Sequence, residues 1–174
     1  LADTTGQVIT FSGFSINDSL PNLMLSKNSK RSFLLSKKVK DLSIGESYFF
    51  ANVNDWILPV RVPIRSDSGI LLAVNTTAIQ YKSLNKDLSS FGFDSTYRIH
   101  LINKDFNTTQ LYYPWPIEQY SAILQKDANI YENGNTTVSN GMTYFNAFNA
   151  LEKHDCIGIR IDLPSLNHEL VVSV

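Results

Sequence analysis

The sequence predicts an α+β fold made of two similar halves, each a mostly antiparallel sheet with helices on one face. Three observations lead to this prediction. Two apolar, β-rich runs are joined by a polar turn at residues 66–69, a second series of strand patterns starts near residue 97, and 43% of the 174 residues are hydrophobic while 18% are charged. A chain of this length and composition can bury the core of one ordinary domain or of two small ones.

The first half begins with a turn and a strand. Asp3 to Gly6 has the D-x-x-G pattern of a tight turn, and residues 7–12 (QVITFS) are β-branched and roughly alternating, which predicts a strand. Residues 15–41 are polar, are interrupted by Pro21 and have apolar side chains at spacings that fit one or two short helices. Residues 46–52 (ESYFFAN) are predicted to form the next strand.

The clearest local signal is a hairpin. Residues 57–64 and 70–77 are apolar and β-rich, and Ser66, Asp67, Ser68 and Gly69 separate them. A turn of this kind needs one residue that tolerates a positive φ angle, and Gly69 supplies it. We therefore expect two long antiparallel strands here.

The second half repeats the plan. A turn at residues 104–107 joins its first two strands into a second hairpin. Residues 117–126 place apolar side chains on one side of a predicted helix, and residues 132–140 are predicted to be a polar loop. The strands predicted in this half are residues 97–103, 110–113, 142–148, 156–163 and 169–174.

Charge and cysteine content limit the function classes. Fifteen Lys and Arg residues against sixteen Asp and Glu residues give a net charge of −1, so the chain lacks the basic stripe that attracts nucleic acid. No apolar run approaches the ~20 residues that a membrane-spanning helix needs. Cys156 is the single cysteine, which excludes an intrachain disulfide and a cysteine-based metal site.

The sequence offers no catalytic pattern. His100, His154 and His168 are isolated from one another and from carboxylates at metal-ligand spacing. The serines lack the flanking glycines of a nucleophile elbow, and the eight glycines occur singly rather than in a phosphate-binding loop. We expect a protein that is not an enzyme and that has no metal ion and no cofactor.

The order of two halves, the run PVRVPIRSDSGILLAVNTTAI and the D-x-x-G entry into a strand together resemble the tandem Cache (PDC-type) sensor domains of bacterial transmembrane receptors, whose two halves are PAS-like. The resemblance implies a membrane-distal half at residues 1–84 and a membrane-proximal half at residues 85–174. In that family a long N-terminal helix precedes the distal half, and this sequence lacks it and begins abruptly. We expect an extracytoplasmic part of a membrane-anchored protein, with a homodimer through the missing helix left open.

The resemblance also implies a function. Such a module is the ligand-sensing input domain of a histidine kinase, a diguanylate cyclase or a chemoreceptor, and it passes a conformational change across the membrane after binding a small molecule in the distal half. The alternative is a surface-exposed adhesion module that binds a glycan or a protein through exposed Tyr112, Tyr113 and Trp115. The same aromatic run is equally typical of a packed corner.

Candidate ligand contacts lie in the first half. Tyr48, Phe50 and Asn52 alternate onto one face of their predicted strand, and a buried Asn52 beside aromatic rings would need a partner that a ligand can provide. By resemblance, Arg31 lies about where the family places a basic residue that holds a ligand carboxylate. The alternative is that Tyr48 and Phe50 belong to the core and that Arg31 is solvated.

One departure from the family concerns the ligand class. Family members that bind amino acids have an aspartate shortly after the last strand of the distal half, and that position falls near Ala78, where Asn75 is close but no carboxylate occurs. A buried ligand ammonium without an anion is costly. The sequence therefore disfavours an amino acid and favours a small carboxylate held by Arg31, or a neutral polar molecule.

Overall fold

The computed structural model describes residues 1–12, 20–114, 124 and 129–174, apart from the side chains of Asn52 and Asn133. It contains helices and two antiparallel sheets, which confirms the predicted α+β class. The chain divides into two compact units, Leu1–Tyr81 and Lys82–Val174. The assignment of a membrane-distal and a membrane-proximal half stays a prediction.

No helix in the described ranges combines the length and the apolar character that crossing a bilayer requires.

Unit 1 is built around one central strand. Strand β3 pairs with β1 and β2, which follow each other along one of its edges, and with β4 along the other edge, all antiparallel. A short 3-10 turn at Ala51–Val53 connects β2 to β3. The elements of unit 1 are β1 (Ser43–Ile44), β2 (Tyr48–Phe50), β3 (Asp55–Arg65), β4 (Leu71–Gln80) and the helix α1 (Lys27–Ser36).

The predicted hairpin is confirmed as the pair β3 and β4. Gly69 has a φ of 83°, and its backbone N–H donates to the carbonyl of Ser66 at 2.8 Å, which closes the turn. The register places Pro59 opposite Ala78 and Arg61 opposite Thr76. Directly opposed residues share one face of a sheet, so these four side chains lie on the same face.

The strand predicted at residues 7–12 is wrong. Val8 and Gln7 take part only in isolated bridges, and the N–H of Val8 donates to the carbonyl of Pro21 at 3.0 Å rather than to a neighbouring strand. The segment is attached to the sheet earlier, where Ala2 and Val74 exchange two hydrogen bonds of 2.8 and 2.9 Å. The β-branched residues therefore lack a partner strand, without which their propensity does not make a ladder.

Unit 2 contains one six-stranded antiparallel sheet. Helix α2 (Tyr81–Ser90) begins at the last residue of unit 1 and continues into unit 2. The strand order is β6-β5-β10-β9-β8-β7, so the C-terminal strand lies in the middle of the sheet. The strands are β5 (Arg98–Asn103), β6 (Thr108–Tyr113), β7 (Tyr131–Ser139), β8 (Met142–Asn149), β9 (His154–Leu163) and β10 (His168–Ser173).

The core of this sheet is aromatic and contains one cation. The Arg160 guanidinium carbon lies 5.5 Å from the ring centre of Tyr131 and 5.2 Å from that of Phe145, within the range of a cation–π contact. The buried members of the cluster are Ile102, Tyr131, Phe145, Ala147, Cys156 and Val171.

Two elements of unit 2 differ from the sequence prediction. Residues 132–140 were expected to be a loop, but Tyr131–Ser139 form β7, whose mostly exposed polar residues pair with β8 at the edge of the sheet. The residues of β7 have a weak β-propensity, but their backbone hydrogen bonds with β8 hold them in a strand. Helix α2 was not predicted, although Tyr81, Leu84 and Leu88 lie at the spacing of an apolar stripe, of which only Tyr81 is fully buried. The helix predicted at residues 117–126 lies outside the described residues, except for Leu124.

Gly158 provides a test of the unit 2 sheet. A Cβ atom there would lie 2.4 Å from the carbonyl oxygen of Val172 and 2.8 Å from the Phe145 ring. Gly158→Ala should lower the free energy of unfolding by about 1–3 kcal/mol, because backbone cannot move aside cheaply. Urea unfolding followed by circular dichroism measures the change.

The matched control is Gly141→Asn in the turn before β8. A Cβ at Gly141 meets nothing within 4 Å, and asparagine tolerates its φ of 74°. This variant should unfold within about 0.5 kcal/mol of the wild type. Equal losses for the two variants would contradict the close packing assigned to Gly158.

Glu152 provides a pH-dependent test. Burial acts to raise the pKa of this carboxyl, but hydrogen bonds from Arg98 (2.6 and 2.7 Å) and His154 (2.9 Å) prevail and hold it below 4.5. A lowered carboxyl pKa stabilises the fold above the ordinary value, and this stability is lost as the pH falls through the folded pKa. Glu152→Gln should therefore cost about 1–3 kcal/mol at pH 7 and progressively less below pH 4.5.

Urea titrations of wild type and variant at several pH values measure this difference. The exposed Glu132 offers the control, since Glu132→Gln should change stability little at any of these pH values. A Glu152→Gln deficit that stays constant down to pH 3 would show that the lost stability is not due to the ionised carboxylate.

Candidate functional site

Unit 1 contains a cavity of about 660 Å³ that is partly open to the surface. Its wall is formed by the N-terminal segment, the chain that leads into α1, the first turn of α1, and strands β2, β3 and β4. Apolar and aromatic side chains supply much of the wall, and a smaller set of hydroxyl and amide groups interrupts it, as is usual for small-molecule sites. The polar lining residues are Thr10, Ser12, Asn22, Ser26, Ser29, Asn75, Thr76 and Thr77, together with the Tyr48 hydroxyl.

The turn at the start of the chain positions the N-terminal part of this wall. The Asp3 carboxylate accepts from the Thr5 hydroxyl at 2.7 Å, from the Thr5 N–H at 2.8 Å and from the Gln7 N–H at 3.0 Å. The Thr5 hydroxyl is the largest of the causes that lower the pKa of Asp3. The turn directs Val8 towards the buried cluster that also contains Leu23.

The buried residues of helix α1 are Phe33 and three serines, Ser29, Ser32 and Ser36. Ser26 caps its N-terminus by accepting from the Ser29 N–H at 3.3 Å. The hydroxyls of Ser32 and Ser36 donate to backbone carbonyls within the helix, at 3.3 and 2.7 Å. The buried Ser29 hydroxyl lines the cavity and has no hydrogen-bond partner among the described residues.

Among the residues that the structure describes, Arg61 has the largest fully buried side chain, with 0% of its surface exposed. It lies on the same face of β3 as Ile57 and Pro59, which line the cavity, although Arg61 itself is not a lining residue, and its Nη1 contacts the Ser32 hydroxyl. Its Nε and Nη2 atoms are buried and have no partner in the described part of the chain. Burial lowers the pKa of Arg61 to about 10, an effect that Tyr48 partly opposes, so the guanidinium remains charged at neutral pH.

A second unpartnered hydroxyl faces Arg61 across the hairpin. Thr76 is the direct cross-strand partner of Arg61, and its side chain lines the cavity. The Thr76 Oγ1 atom is buried and accepts and donates no hydrogen bond within the described residues. We call Ser29, Ser32, Arg61 and Thr76 the Arg61 cluster.

Three of the five site residues predicted from sequence line the cavity. Tyr48 and Phe50 do so from β2, with ring centres 6.4 Å apart, and Asn75 does so from β4. Strand β2 ends at Phe50, so the alternation that was expected to include Asn52 stops there, and the Asn52 side chain lies outside the described set.

Arg31 is not among the residues that line the cavity. Its Nε donates to Glu46 Oε2 at 2.8 Å, and its Nη2 contacts Glu46 Oε1. The Arg31 side chain is 43% exposed, whereas that of Glu46 is 1% exposed. The partly exposed Arg31 thus neutralises the charge of the buried Glu46 carboxylate.

Arg61, Ser29 and Thr76 were not predicted from the sequence. A signal was available for Arg61, because it interrupts the series Ile57, Pro59, Pro63 on the buried face of an otherwise apolar strand. No sequence signal distinguishes Ser29 from the other serines of α1, because its importance depends on what lies opposite it in space.

Unit 2 has a smaller depression with fewer polar lining residues than the cavity of unit 1. This depression of about 320 Å³ on the sheet is lined mostly by apolar residues, including Tyr144, Ile157 and Val172. The buried His100 of unit 2 does not line this depression. Burial and the charge of Arg160 lower the pKa of His100 to about 3, so its imidazole is neutral at physiological pH. Among the residues that the structure describes, no three His, Cys, Asp or Glu side chains are grouped to hold a metal ion.

The aromatic residues proposed for adhesion are not a free surface. Tyr112 is 0% and Tyr113 is 3% exposed. The Tyr113 hydroxyl donates to the carbonyl of Phe93 at 2.6 Å, and the Tyr112 hydroxyl accepts from the Asn149 amide at 3.0 Å. Trp115 lies outside the described residues. The packed-corner interpretation is therefore correct for the two tyrosines.

No protein-family model matches the sequence, and no curated protein sequence matches it. Solved structures with a similar fold do exist. The ligand-binding domain of the Pseudomonas fluorescens chemoreceptor CtaA matches in complex with L-serine, at a TM-score of 0.56 and 14% identity, over 99% of this chain and 70% of that one. The same domain in complex with L-alanine gives a TM-score of 0.57 at 15% identity, over 99% of this chain and 69% of that one.

The extracellular domain of the putative histidine kinase rpHK1S-Z16 is also similar, at a TM-score of 0.55 and 17% identity, over 99% of this chain and 67% of that one. At these identities the comparison concerns the fold. It confirms that the chain has the fold of the Cache-type sensor domains that its sequence resembles.

Proposed function

We propose that this chain is an extracytoplasmic input domain of a bacterial membrane receptor and that it binds a small molecule in the cavity of unit 1. The observation that supports this most directly is the cavity itself, which combines an aromatic and apolar wall with buried hydroxyls that have no partner in the described residues. The structural neighbours are sensory domains rather than catalytic ones, which supports a non-enzymatic role.

The cavity suits a sensor because separate parts of unit 1 contribute to its wall. The N-terminal segment, α1 and the β3–β4 hairpin all contact the cavity, so a bound molecule would join elements that otherwise pack on each other only in part. A ligand shifts a conformational equilibrium by its difference in affinity for the two states. We infer that closure of these elements around the ligand is the signal passed towards the membrane.

Among the sequence-predicted residues, we propose Tyr48, Phe50 and Asn75 as ligand contacts because they line the cavity. Asn52 remains a proposed contact next to them. Arg31 would have to leave its ion pair with Glu46 before it could hold a ligand carboxylate, and that step would leave a buried carboxylate uncompensated.

The composition of the cavity wall bears on which chemical groups a ligand can carry. The lining residues within the described chain include no Asp or Glu, so a ligand ammonium would meet hydroxyl, amide and carbonyl oxygens rather than a carboxylate. The CtaA domain was solved with L-serine and with L-alanine, and the sequence-based preference against an amino acid finds no support there. The receptor type, whether chemoreceptor, histidine kinase or diguanylate cyclase, is likewise open to experiment.

Blocking the cavity tests the proposal. A thermal-shift screen of amino acids, small carboxylates, amines and sugars should yield at least one compound that raises the unfolding temperature of the wild-type chain. Ala78 lies on the cavity wall, so Ala78→Phe should reduce the affinity for that compound by about tenfold or more, measured by titration calorimetry.

Ala73→Phe on the same strand is the matched control. Ala73 is also partly buried, but it pairs with the exposed Ile64 and does not line the cavity, so this variant should bind normally. Full affinity in Ala78→Phe would place the binding site elsewhere. A screen without any hit would count against a small-molecule sensor.

A further inference from the structure

We propose that the Arg61 cluster is an anion site directly behind the cavity lining and that it takes a carboxylate group of the ligand once Ser29 and Thr76 move apart to admit it. This inference rests on the proposed function and deepens it, because it names the chemical class of the ligand and the residue that recognises it. It assigns the role of carboxylate anchor to Arg61 on β3 instead of Arg31 on α1.

The unoccupied hydrogen-bonding atoms of Arg61 form a suitable edge. Nε and Nη2 lie side by side on one edge of the planar guanidinium, and both are buried without a partner in the described chain. Nη1, on the opposite edge, is already engaged with the Ser32 hydroxyl. Two parallel N–H donors match the two oxygens of a carboxylate, which is the bidentate arrangement that makes arginine the preferred residue for such groups.

The cavity and the guanidinium lie along the same two elements. Along β3, Ile57 and Pro59 line the cavity and Arg61 is the next residue on that face, about 7 Å further along. Along α1, Ser29 lines the cavity and Ser32 is the next residue on the same side of the helix, in contact with Arg61. The strand and the helix therefore both continue from the cavity to the guanidinium.

Two hydroxyls complete the proposed site. Ser29 on α1 and Thr76 on β4 line the cavity, and their hydroxyl oxygens are buried and have no hydrogen-bond partner in the described ranges. Thr76 lies directly opposite Arg61, with Cβ atoms about 5 Å apart in such a pair. A carboxylate bound to Arg61 can accept from these hydroxyls, so one ligand group would satisfy several buried donors together.

The protein's own carboxylates offer no evident substitute. Glu46, which is buried in the same unit, is held by Arg31 through both oxygens. Tyr48 is the one titratable neighbour that affects Arg61, and no carboxyl in the described residues is close enough to raise the pKa of Arg61. A fully buried cation without an anion is costly, and proteins retain such groups where function requires them.

The test uses pairs of probes that differ only in charge. We would measure binding of propionate and propionamide, and of L-alanine and L-alaninamide, to the 174-residue chain by thermal shift and calorimetry. We expect at least one carboxylate to bind more tightly than its amide by about tenfold or more, because hydrogen bonds to ionised groups are the stronger ones. The pair of propionate and L-alanine also reveals whether an ammonium group helps or hinders.

Variants then assign the effect to Arg61. Arg61→Met should weaken carboxylate binding by about tenfold to a hundredfold and should leave the unfolding temperature of the free protein unchanged or higher, since an uncompensated buried charge is removed. Thr76→Val should weaken binding by about two- to tenfold. Arg65→Met, on the same strand but remote from the cavity lining, and Arg31→Lys, which keeps the ion pair with Glu46, should both bind like the wild type.

Each contrary result has a separate meaning. If a neutral or cationic compound binds in a manner sensitive to Ala78→Phe but no carboxylate does, the anion site is wrong and the sensor function stands. If carboxylates bind Arg61→Met as they bind the wild type, Arg61 is structural. If Arg61→Met does not fold, Arg61→Lys and the ¹⁵N resonance of Arg61 Nε decide: a shift with propionate but not with propionamide supports the site, and identical spectra overturn it.

Discussion

The pairing of β3 with β4 is the constraint on which unit 1 depends. Both short strands β1 and β2 attach to the free edge of β3, and the N-terminal segment attaches through Ala2 to β4. The hairpin therefore provides the backbone to which β2 and the N-terminal segment, two parts of the cavity wall, are attached. Its register also determines the chemistry of one face of the sheet, since it places Arg61 opposite Thr76, and a shift of one strand by one residue would put these two side chains on opposite faces.

A buried arginine at that position imposes a cost on the ligand-free protein. Ser32 of α1 contacts the guanidinium at Nη1, and its own hydroxyl donates within the helix, so the charge has no hydrogen bond at Nε and Nη2 in the described chain. Burial without an anion is unfavourable, as the lowered pKa of Arg61 also indicates. A ligand that supplies the missing acceptor would recover this free energy on binding. The same arrangement would thus link ligand affinity to the stability of unit 1.

Local signals explain which parts of the fold the sequence predicts. The turn residue Gly69 and the apolar runs beside it fix the hairpin, and alternating apolar residues predict β5, β8, β9 and β10, because these patterns act over a few neighbouring positions. Strand β7 and the bridge segment at residues 7–12 depend instead on whether a partner strand lies alongside, which no local pattern records. The site follows the same division. Tyr48 and Phe50 follow from alternation, whereas Ser29 and Thr76 become notable only through the arginine between them.

The contrast between Arg31 and Arg61 shows why the type of residue is an insufficient guide to a carboxylate site. Both are arginines of unit 1 close to α1, but Arg31 is partly exposed and neutralises Glu46, whereas Arg61 is enclosed and keeps one bidentate edge without a partner in the described chain. Affinity for a ligand anion depends on that difference, because a donor already satisfied by a protein carboxylate must break one strong pair to form another. The residues that line the cavity in the described chain include no Asp or Glu, so an ammonium group at the other end of a ligand would meet neutral oxygens. Recognition in this cavity would therefore be dominated by the anionic end of the ligand, with the rest of the molecule selected by the shape of the aromatic wall.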